Sequence, residues 1–263
     1  MTQARKILGY QLRDLTRNRW VIAYAITLLL LTEGLFRLGG DGPRVVLSLL
    51  NVVLILVPLV SLMFGTMYLY NAREFIELLL AQPVGRRAMF AGLWGGLAFP
   101  LAAALGLGLG LPFLLHAHEA SISLAATAVL LGTGIMLTAV FTAIAFVLAL
   151  RFDDRARGFG AALLVWLGCA VLYDGLVLLV ATLLADYPLE GPLLALTLLN
   201  PLDLGRVVLL FALDISALLG YTGAVFQRVL GTPLGIGLAV LALSAWMAIP
   251  LAWGSRRFSR RDF

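Results

Sequence analysis

The chain has 263 residues, 62% of them hydrophobic and 13% charged, with a mean hydropathy of +1.01 and a net charge of +5. A soluble domain is about 45–50% apolar and about 25% charged, so this composition excludes a water-soluble protein and predicts an all-α polytopic membrane protein. The basic charge is expected to reflect how loops distribute across a bilayer rather than nucleic-acid binding. The single cysteine, Cys169, excludes an intrachain disulfide and a zinc ribbon.

The first nineteen residues form a basic segment with apolar side chains at helical spacing. Ile7, Leu8, Leu12 and Leu15 recur among arginine and lysine residues. A basic helix with one apolar stripe lies along the surface of membrane lipid. We therefore predict an interfacial helix over residues 1–19.

Six apolar runs follow, each about as long as the roughly 20 residues that a spanning helix needs. The predicted spans are Trp20–Leu38, Val45–Tyr70, Met89–Leu115, Ile122–Leu150, Phe159–Leu184 and Leu234–Trp253. Glycines inside them, as in "LGLGLGLP", are compatible with close helix packing in lipid. Residues 1–263 are thus predicted to form a single transmembrane domain.

The basic residues divide unevenly between the two sides of these spans. One side carries 15 of the 19 lysine and arginine residues. They are Arg5, Lys6, Arg13, Arg17, Arg19, Arg73, Arg86, Arg87, Arg151, Arg155, Arg157, Arg256, Arg257, Arg260 and Arg261. Because cytoplasmic loops hold the excess of positive charge, we predict a bacterial inner-membrane protein with both termini in the cytoplasm.

The segment between the second and third spans, residues 71–88, is charged but still helical in pattern. Asn71 is a candidate N-cap, and Glu74 three residues later completes a pattern like a capping box. The spacing predicts an apolar face of Phe75, Ile76, Leu79 and Leu80 opposite Arg73, Glu74 and Glu77. Gln82 and Pro83 end the helix, since the residue before a proline is biased away from α. We therefore predict a short cytoplasmic amphipathic helix whose partner is a soluble protein, or which alternatively only rests on the membrane.

Residues 186–233, between the fifth and sixth spans, are too apolar for a solvated loop and too interrupted for one span. We predict re-entrant or interfacial helices on the outer face. In "NPLDLGR", Asn200 or Asp203 is expected to cap a helix after the Pro201 turn, with Arg206 pairing with Asp203 one turn on. The turn is predicted at the membrane surface. Its role is either structural or that of a platform for an outer partner.

A few polar or soft side chains inside or near the spans are functional candidates. Glu33 and Asp174 lie within spans, where charged residues are functional candidates by default. Two sets have the chemistry of weak metal ligands but no full ligand set. These sets are His116, His118 and Glu119 in one place, and Met63 and Met67 in another.

Several enzyme classes are excluded by missing motifs. The sequence has no G-x-x-x-x-G-K-[ST] phosphate loop, and its only lysine is Lys6, so this chain is not expected to hydrolyse ATP. Tyr173-Asp174 matches the first half of an intramembrane aspartyl-protease signature, but the second half is absent. Neither H-E-x-x-H nor G-x-S-x-G occurs. We therefore predict no catalytic residues and no cofactor bound by this chain.

The stretch "REFIELLLAQPVGRRAMFAGLW" resembles the segment between spans two and three of ABC type-2 transporter permeases. The resemblance implies a coupling helix that docks into an ATPase subunit, with Phe75-Ile76 standing where Gly-Thr is more common. It also implies a homodimer of permeases with two ATPase copies that bind ATP and Mg. The implied coupling residues are Arg73, Glu74, Phe75, Glu77, Leu78, Leu79, Gln82 and Pro83.

The stretches "LLNPLDLGRVV" and "VLYDGLVLL" resemble one branch of that family, whose transporter helps mature the copper enzyme nitrous oxide reductase. This resemblance implies a periplasmic β-helix accessory protein as a further partner, reached through a platform of Asn200, Pro201, Asp203 and Arg206. Either export of a sulfur species for the copper-sulfide centre or mechanical control of the outer partner fits it. The alternative is a generic exporter of lipid, drug or peptide.

Overall fold

The computed structural model describes residues 19–38, 42–80, 85–116, 123–183, 190–212 and 233–260. Every regular element in these ranges is helical, which confirms the all-α prediction. The interfacial helix predicted over residues 1–19 lies outside the described residues except for Arg19 and stays a prediction. The same holds for two parts of the predicted outer segment, residues 186–189 and 213–232.

The helices are numbered α1 to α10 in chain order. Their bounds are α1 Arg19–Arg37, α2 Gly42–Asn71, α3 Arg73–Leu80, α4 Arg86–Leu115, α5 Leu124–Arg151, α6 Arg155–Leu167, α7 Tyr173–Leu183, α8 Glu190–Leu199, α9 Pro201–Ala212 and α10 Pro233–Arg260. A π-helical segment, Gly168–Leu172, joins α6 to α7 without a break, so these three form one continuous rod. We call that rod span five and α10 span six.

Six of these segments are long and apolar enough to cross a membrane, which confirms the predicted number of spans. They are Arg19–Arg37, Arg44–Asn71, Arg86–Leu115, Leu124–Arg151, Arg155–Leu183 and Gly237–Arg260. Successive spans run in opposite directions. We call the end of the bundle that carries α3, the start of α6 and the end of α10 the basic end, because the arginine clusters lie there.

The core of the bundle is built around α5, which packs against α2, α4, α9 and α10. Phe141 and Phe146 of α5 are fully buried. The ring of Phe90 in α4 lies 5.7 Å from Phe146 and 5.6 Å from Phe258 in α10, so aromatic contacts join three spans near the basic end. Span five differs from the other spans, because Gly158 and Ala162 are its only residues that are buried within this chain.

One glycine of the "LGLGLGLP" run brings two spans into close contact. A Cβ atom added at Gly108 would lie 2.8 Å from the carbonyl oxygen of Ala25 and 2.7 Å from the Cβ of Leu28 in α1. Gly106, two residues earlier, has open space around the same position. Of these two glycines, only Gly108 is therefore required by the packing of α4 on α1.

We expect Gly108→Ala to destabilise the protein by about 1–3 kcal/mol, because the added methyl group would force α1 and α4 apart. The matched variant Gly106→Ala should leave stability unchanged or slightly raised. Thermal or denaturant unfolding of the purified protein in detergent measures both. Equal effects of the two substitutions would contradict the close contact.

Candidate functional site

Helices α8 and α9 form a bent pair that we call the hairpin, residues Glu190–Ala212. The axes of Pro192–Leu199 and Pro201–Phe211 are bent by 110° at the break between them. With a rise of about 1.5 Å per residue and this bend, the two ends of the pair lie roughly 17 Å apart. The hydrocarbon layer is roughly 30 Å thick, so this distance is too short to cross it. The pair alone therefore does not cross the membrane, which fits the predicted re-entrant arrangement.

The corner of the hairpin lies beside the middle of spans five and six. The Asn200 side-chain amide donates to the carbonyl oxygen of Cys169 at 2.9 Å, and Cys169 is midway along Arg155–Leu183. Trp246, near the middle of α10, donates through Nε1 to the carbonyl oxygen of Leu198 at 3.0 Å. The prediction that this turn lies at the membrane surface is therefore wrong, because both spans hold it near their midpoints.

The backbone polar groups at the corner are hydrogen-bonded within the protein. The Leu202 amide donates to Oδ1 of Asn200 at 3.1 Å, so Asn200 is the N-cap, one of the two residues predicted for that role, the other being Asp203. The Tyr173 hydroxyl of span five donates to the carbonyl oxygen of Leu196 at 2.6 Å. With Trp246, these bonds complete groups that the end of α8 and the start of α9 would otherwise leave unpaired.

The π-helical segment of span five supplies one of these bonds. The Tyr173 amide donates to the carbonyl oxygen of Gly168, five residues back, instead of to that of Cys169, as an α-helix would require. The Cys169 oxygen accepts from Asn200 instead. This change of register also sets the direction in which Asp174, the next residue, leaves the rod.

A charged cluster joins the hairpin to span five. Nη1 and Nη2 of Arg206 lie 3.0 and 3.1 Å from the two carboxylate oxygens of Asp174, and Nη1 lies 3.4 Å from Oδ1 of Asp203. The other oxygen of Asp203 accepts from the Asn200 amide at 3.1 Å. The predicted pairing of Arg206 with Asp203 is thus confirmed. The sequence did not reveal the bidentate bond to Asp174, because the two residues are 32 positions apart.

The cluster is open on one side. The side chain of Asp203 is 11% exposed, whereas those of Arg206 and Asp174 are 35% and 44% exposed. Charged side chains at this depth face protein or a water-filled cavity, not lipid. The open side of the cluster is therefore covered by a second protein surface or by water in the assembled protein. Of the four residues in the predicted outer platform, Asn200, Pro201 and Asp203 are buried.

The short helix α3 follows α2 without a loop. Asn71 is the last residue of α2, and the Ile76 amide bonds the carbonyl oxygen of Ala72, so Ala72 is the residue that precedes α3. The predicted N-cap role of Asn71 is therefore wrong. The chain stays helical through Asn71 because the Ala72 amide still bonds the carbonyl oxygen of Tyr68.

The faces of α3 differ in part from the predicted ones. Ile76 is fully buried and Leu79 half-buried, as predicted, but Phe75 is 38% exposed. Leu78 is 70% exposed, and Glu74 and Glu77 are also exposed. The free surface of α3 therefore presents two large apolar side chains beside two carboxylates. Gln82 and Pro83 lie outside the described residues.

At the basic end, residues that flank α3 in the sequence form hydrogen bonds to span six and to the residues just before span five. Tyr70, three residues before α3, donates through its hydroxyl to the carbonyl oxygen of Phe152 at 2.8 Å, just ahead of span five. Its ring also lies under the Arg73 guanidinium at 4.8 Å. Arg86, at the start of α4, donates to the carbonyl oxygen of Ser259 in α10 at 3.1 Å.

The remaining candidates lie away from this cluster. Glu33 bonds Arg37 at 2.8 Å and lies 3.8 Å from Nδ1 of His116, whose ring stacks on Phe36 at 4.6 Å. These residues join α1 to α4 at the end of the bundle opposite the basic end. Within the described ranges no three His, Cys, Asp or Glu side chains gather where they could hold a metal ion. Both weak metal sites stay predictions: His118 and Glu119 of the first set lie outside those ranges, and nothing tests the Met63 and Met67 pair.

Comparison with known proteins settles the class. The family described as "ABC-2 family transporter protein" matches residues 10–263. The chain belongs to the ABC-2 transporter family. It is 32% identical over 268 residues to a probable ABC transporter permease protein NosY of Pseudomonas aeruginosa, covering 95% of this chain and 96% of the relative. It is 29% identical over 280 residues to a probable ABC transporter permease protein NosY of Stutzerimonas stutzeri, covering 99% of each.

Family membership and six apolar helices make the chain a multi-pass inner-membrane permease subunit of an ABC transporter. An ABC-2 permease is a membrane subunit rather than an enzyme, and its family implies an ATPase partner. The roles predicted for individual residues remain predictions.

A double-mutant cycle tests whether the ion pair holds the hairpin of this ABC-2 permease to span five. Asp174→Asn and Arg206→Gln should each destabilise the protein, and their coupling energy should lie between about 0.5 and 3 kcal/mol. Denaturant unfolding in detergent gives the four stabilities. The reference cycle, Glu33→Gln with Arg37→Gln, involves an i,i+4 pair whose Arg37 side chain is 77% exposed, and its coupling should be about 0.5 kcal/mol or less. Equal couplings would show that the Asp174–Arg206 pair does not fix the hairpin.

Proposed function

We propose that this permease receives motion from an ATPase subunit at α3 and passes it through spans five and six to the hairpin corner inside the membrane. One observation carries the proposal. Spans five and six hold the corner through Cys169 and Trp246, and residues that flank α3 bond to Phe152, three residues before span five begins, and to Ser259 of span six. A displacement of α3 therefore has a bonded route to the corner on each side.

Helix α3 has the properties that a docking helix needs. Ile76 is fixed in the core, so the helix cannot turn freely when a partner pushes on it. Its free face offers Phe75 and Leu78 for burial and Glu74 and Glu77 for charge pairing. We propose that this face binds a cleft of complementary shape and positive charge on the ATPase subunit, which itself holds ATP and Mg. Two copies of the ATPase would serve two copies of the permease.

The open side of the charged cluster supports a homodimer. Among the six spans in the described part of the chain, span five is the least buried, and it carries the half-exposed Asp174. We propose that the second copy of the permease faces this span, so that the two clusters border a polar space between the copies. A cargo would cross the membrane through that space. Alternatively, no cargo crosses, and relative movement of the two copies would drive an outer partner.

The substrate is proposed from the relatives. The chain is similar over nearly its full length to two permeases named NosY, the branch whose motifs it resembles in "LLNPLDLGRVV". We propose that its transporter supports assembly of the copper-sulfide centre of nitrous oxide reductase, by exporting a sulfur species or by driving a periplasmic β-helix protein. Because Asn200 lies deep, such a partner would respond to the hairpin rather than bind Asn200 itself.

The coupling role is tested by reversing the two acidic side chains of α3. We expect Glu74→Arg with Glu77→Arg to reduce co-purification of the ATPase at least tenfold, because like charges would then meet across the interface. The milder pair Glu74→Gln with Glu77→Gln should weaken it less. Yield in the membrane should not change, since neither carboxylate is buried. Undiminished co-purification by the arginine variant would reject α3 as the docking helix.

The variant with Glu74→Arg and Glu77→Arg also tests the proposed role in enzyme maturation. In a host that depends on this chain for nitrous oxide reductase, we expect the enzyme to accumulate without its copper-sulfide centre, as seen in its visible absorption spectrum. A complete centre together with a lost ATPase interaction would reject the maturation role and favour the generic exporter.

Orientation is tested with a reporter enzyme. If the basic end faces the cytoplasm, alkaline phosphatase fused after Phe263 should be inactive and the same enzyme inserted near Glu119 active, because it folds only outside. The reverse pattern would show that α3 faces away from any cytoplasmic ATPase.

A further inference from the structure

The charged cluster at the hairpin corner contains more acidic than basic groups. Asp174 and Asp203 supply two carboxylates, but Arg206 supplies the single guanidinium. If both carboxylates are ionised, one negative charge has no positive partner. The corner lies beside the middle of spans five and six. At that depth an uncompensated charge is costly, because bulk water does not surround it.

The hydrogen bonds of Arg206 within the cluster go to Asp174. Nη1 and Nη2 lie 3.0 and 3.1 Å from its two oxygens, which is the bidentate geometry of a strong ion pair. The distance from Nη1 to Oδ1 of Asp203 is 3.4 Å, longer than the roughly 2.7–3.2 Å of an N–H···O hydrogen bond. The guanidinium therefore neutralises Asp174 and leaves Asp203 as the excess carboxylate.

Asp203 is also the more buried of the two carboxylates. Its residue is 8% exposed, whereas Asp174 reaches the open side of the cluster. Oδ2 of Asp203 accepts from the Asn200 amide at 3.1 Å, and no described residue donates a hydrogen bond to Oδ1. A buried group of this kind becomes neutral, because one uncharged donor does not replace the water that an ionised carboxylate loses.

The elements packed against α9 supply no second cation near the corner. In the described part of the chain α9 packs against α2, α5, α8, α10 and the π-helical segment. The basic residues of these elements all lie within five residues of a helix end: Arg44, Arg151, Arg256, Arg257 and Arg260. Their other ionisable groups near Asp203 are Cys169 and Tyr173, neither of which carries positive charge, and Glu190 begins α8 at its far end. A second copy of the permease would bring the same excess of negative charge.

The free oxygen atoms of the corner suit a proton rather than a metal ion. Mg²⁺ and Ca²⁺ take about six or more oxygen ligands. The carbonyl oxygens at the end of α8 and in the π-helical segment already accept side-chain hydrogen bonds, and Oδ1 of Asn200 accepts from the Leu202 amide. A proton needs only Oδ1 of Asp203 and one acceptor. The Asp174 carboxylate is close enough to be that acceptor.

We propose that the cluster is a proton-binding site, with the proton on Oδ1 of Asp203 in place of the cation that Asp174 has taken. The bound proton makes a hydrogen bond to Asp174, and the charges of the cluster then sum to zero. Protons enter and leave through the exposed side of Asp174. The site requires neither the docking of an ATPase at α3 nor a role in enzyme maturation.

Infrared spectroscopy of the purified full-length permease tests the proposal, because a protonated carboxylic acid has a carbonyl stretch that a carboxylate lacks. The spectra are recorded at about pH 6, roughly two units above the ordinary range of aspartate, so that exposed carboxylates are ionised. Dodecyl maltoside is the detergent, since it contains no carbonyl group. The difference between spectra in H₂O and D₂O isolates the band, and we expect the wild-type protein to show it.

Four substitutions locate the proton and show why it binds. Asp203→Asn should remove the band. Asp174→Asn should also remove it, although Asp203 is kept, because Arg206 is then free to pair with Asp203 in its ionised form. Asn200→Ser keeps a capping side chain but removes the amide donor to Asp203, and should move the band to higher frequency. Glu33→Gln removes a carboxylate from another span and should leave the band unchanged.

Four outcomes would overturn the proposal. The first needs no variant, since absence of the band from the wild-type protein at pH 6 would show that Asp203 is ionised. A band that survives Asp203→Asn would place the proton elsewhere, and one that survives Asp174→Asn would show that the guanidinium does not decide the binding. Loss of the wild-type band when sodium chloride replaces choline chloride would give the site to a metal cation. Circular dichroism and gel filtration confirm that each variant is folded.

Discussion

A turn between two helices near the middle of a membrane must have its backbone polar groups bonded inside the protein, because the hydrocarbon layer offers no partners. The hairpin corner meets this requirement with side chains from three directions. Asn200 caps α9, Tyr173 reaches the end of α8 from span five, and Trp246 reaches it from span six. Spans five and six are consequently held at positions that keep these donors within reach of the corner.

The same requirement explains why span five contains a π-helical segment. A regular α-helix would engage the carbonyl oxygen of Cys169 with the Tyr173 amide, and Asn200 would lose an acceptor. The wider turn gives that oxygen to Asn200 and directs Asp174 toward Arg206. An irregularity of one residue thus provides both the backbone bond and the ion pair. Such insertions are common at functional sites.

The sequence predicted the spans themselves, but among contacts between side chains it predicted only those within one turn of a helix. The six spans follow from hydropathy and the Asp203–Arg206 contact from a three-residue spacing, whereas the sequence narrowed the cap of α9 only to Asn200 or Asp203. The depth of the corner and the Asp174–Arg206 pair depend on which helices pack together, which the spacing of residues does not encode. The false cap at Asn71 arose in the same way, because the pattern after it suited a helix start while the chain was still helical.

Span five combines two properties that suit it to transmit motion. Its sides bury little against the rest of this chain, so sliding or tilting it disrupts few close-packed contacts. Directional bonds fix it at two levels, to Tyr70 at the basic end and to the hairpin near its middle. A helix held in this way moves as a rod between its bonded points, whereas a rod packed along its whole length, such as α5, would have to displace the core. The weak burial of span five within this chain is what the proposed movement and the proposed contact with a second copy both require.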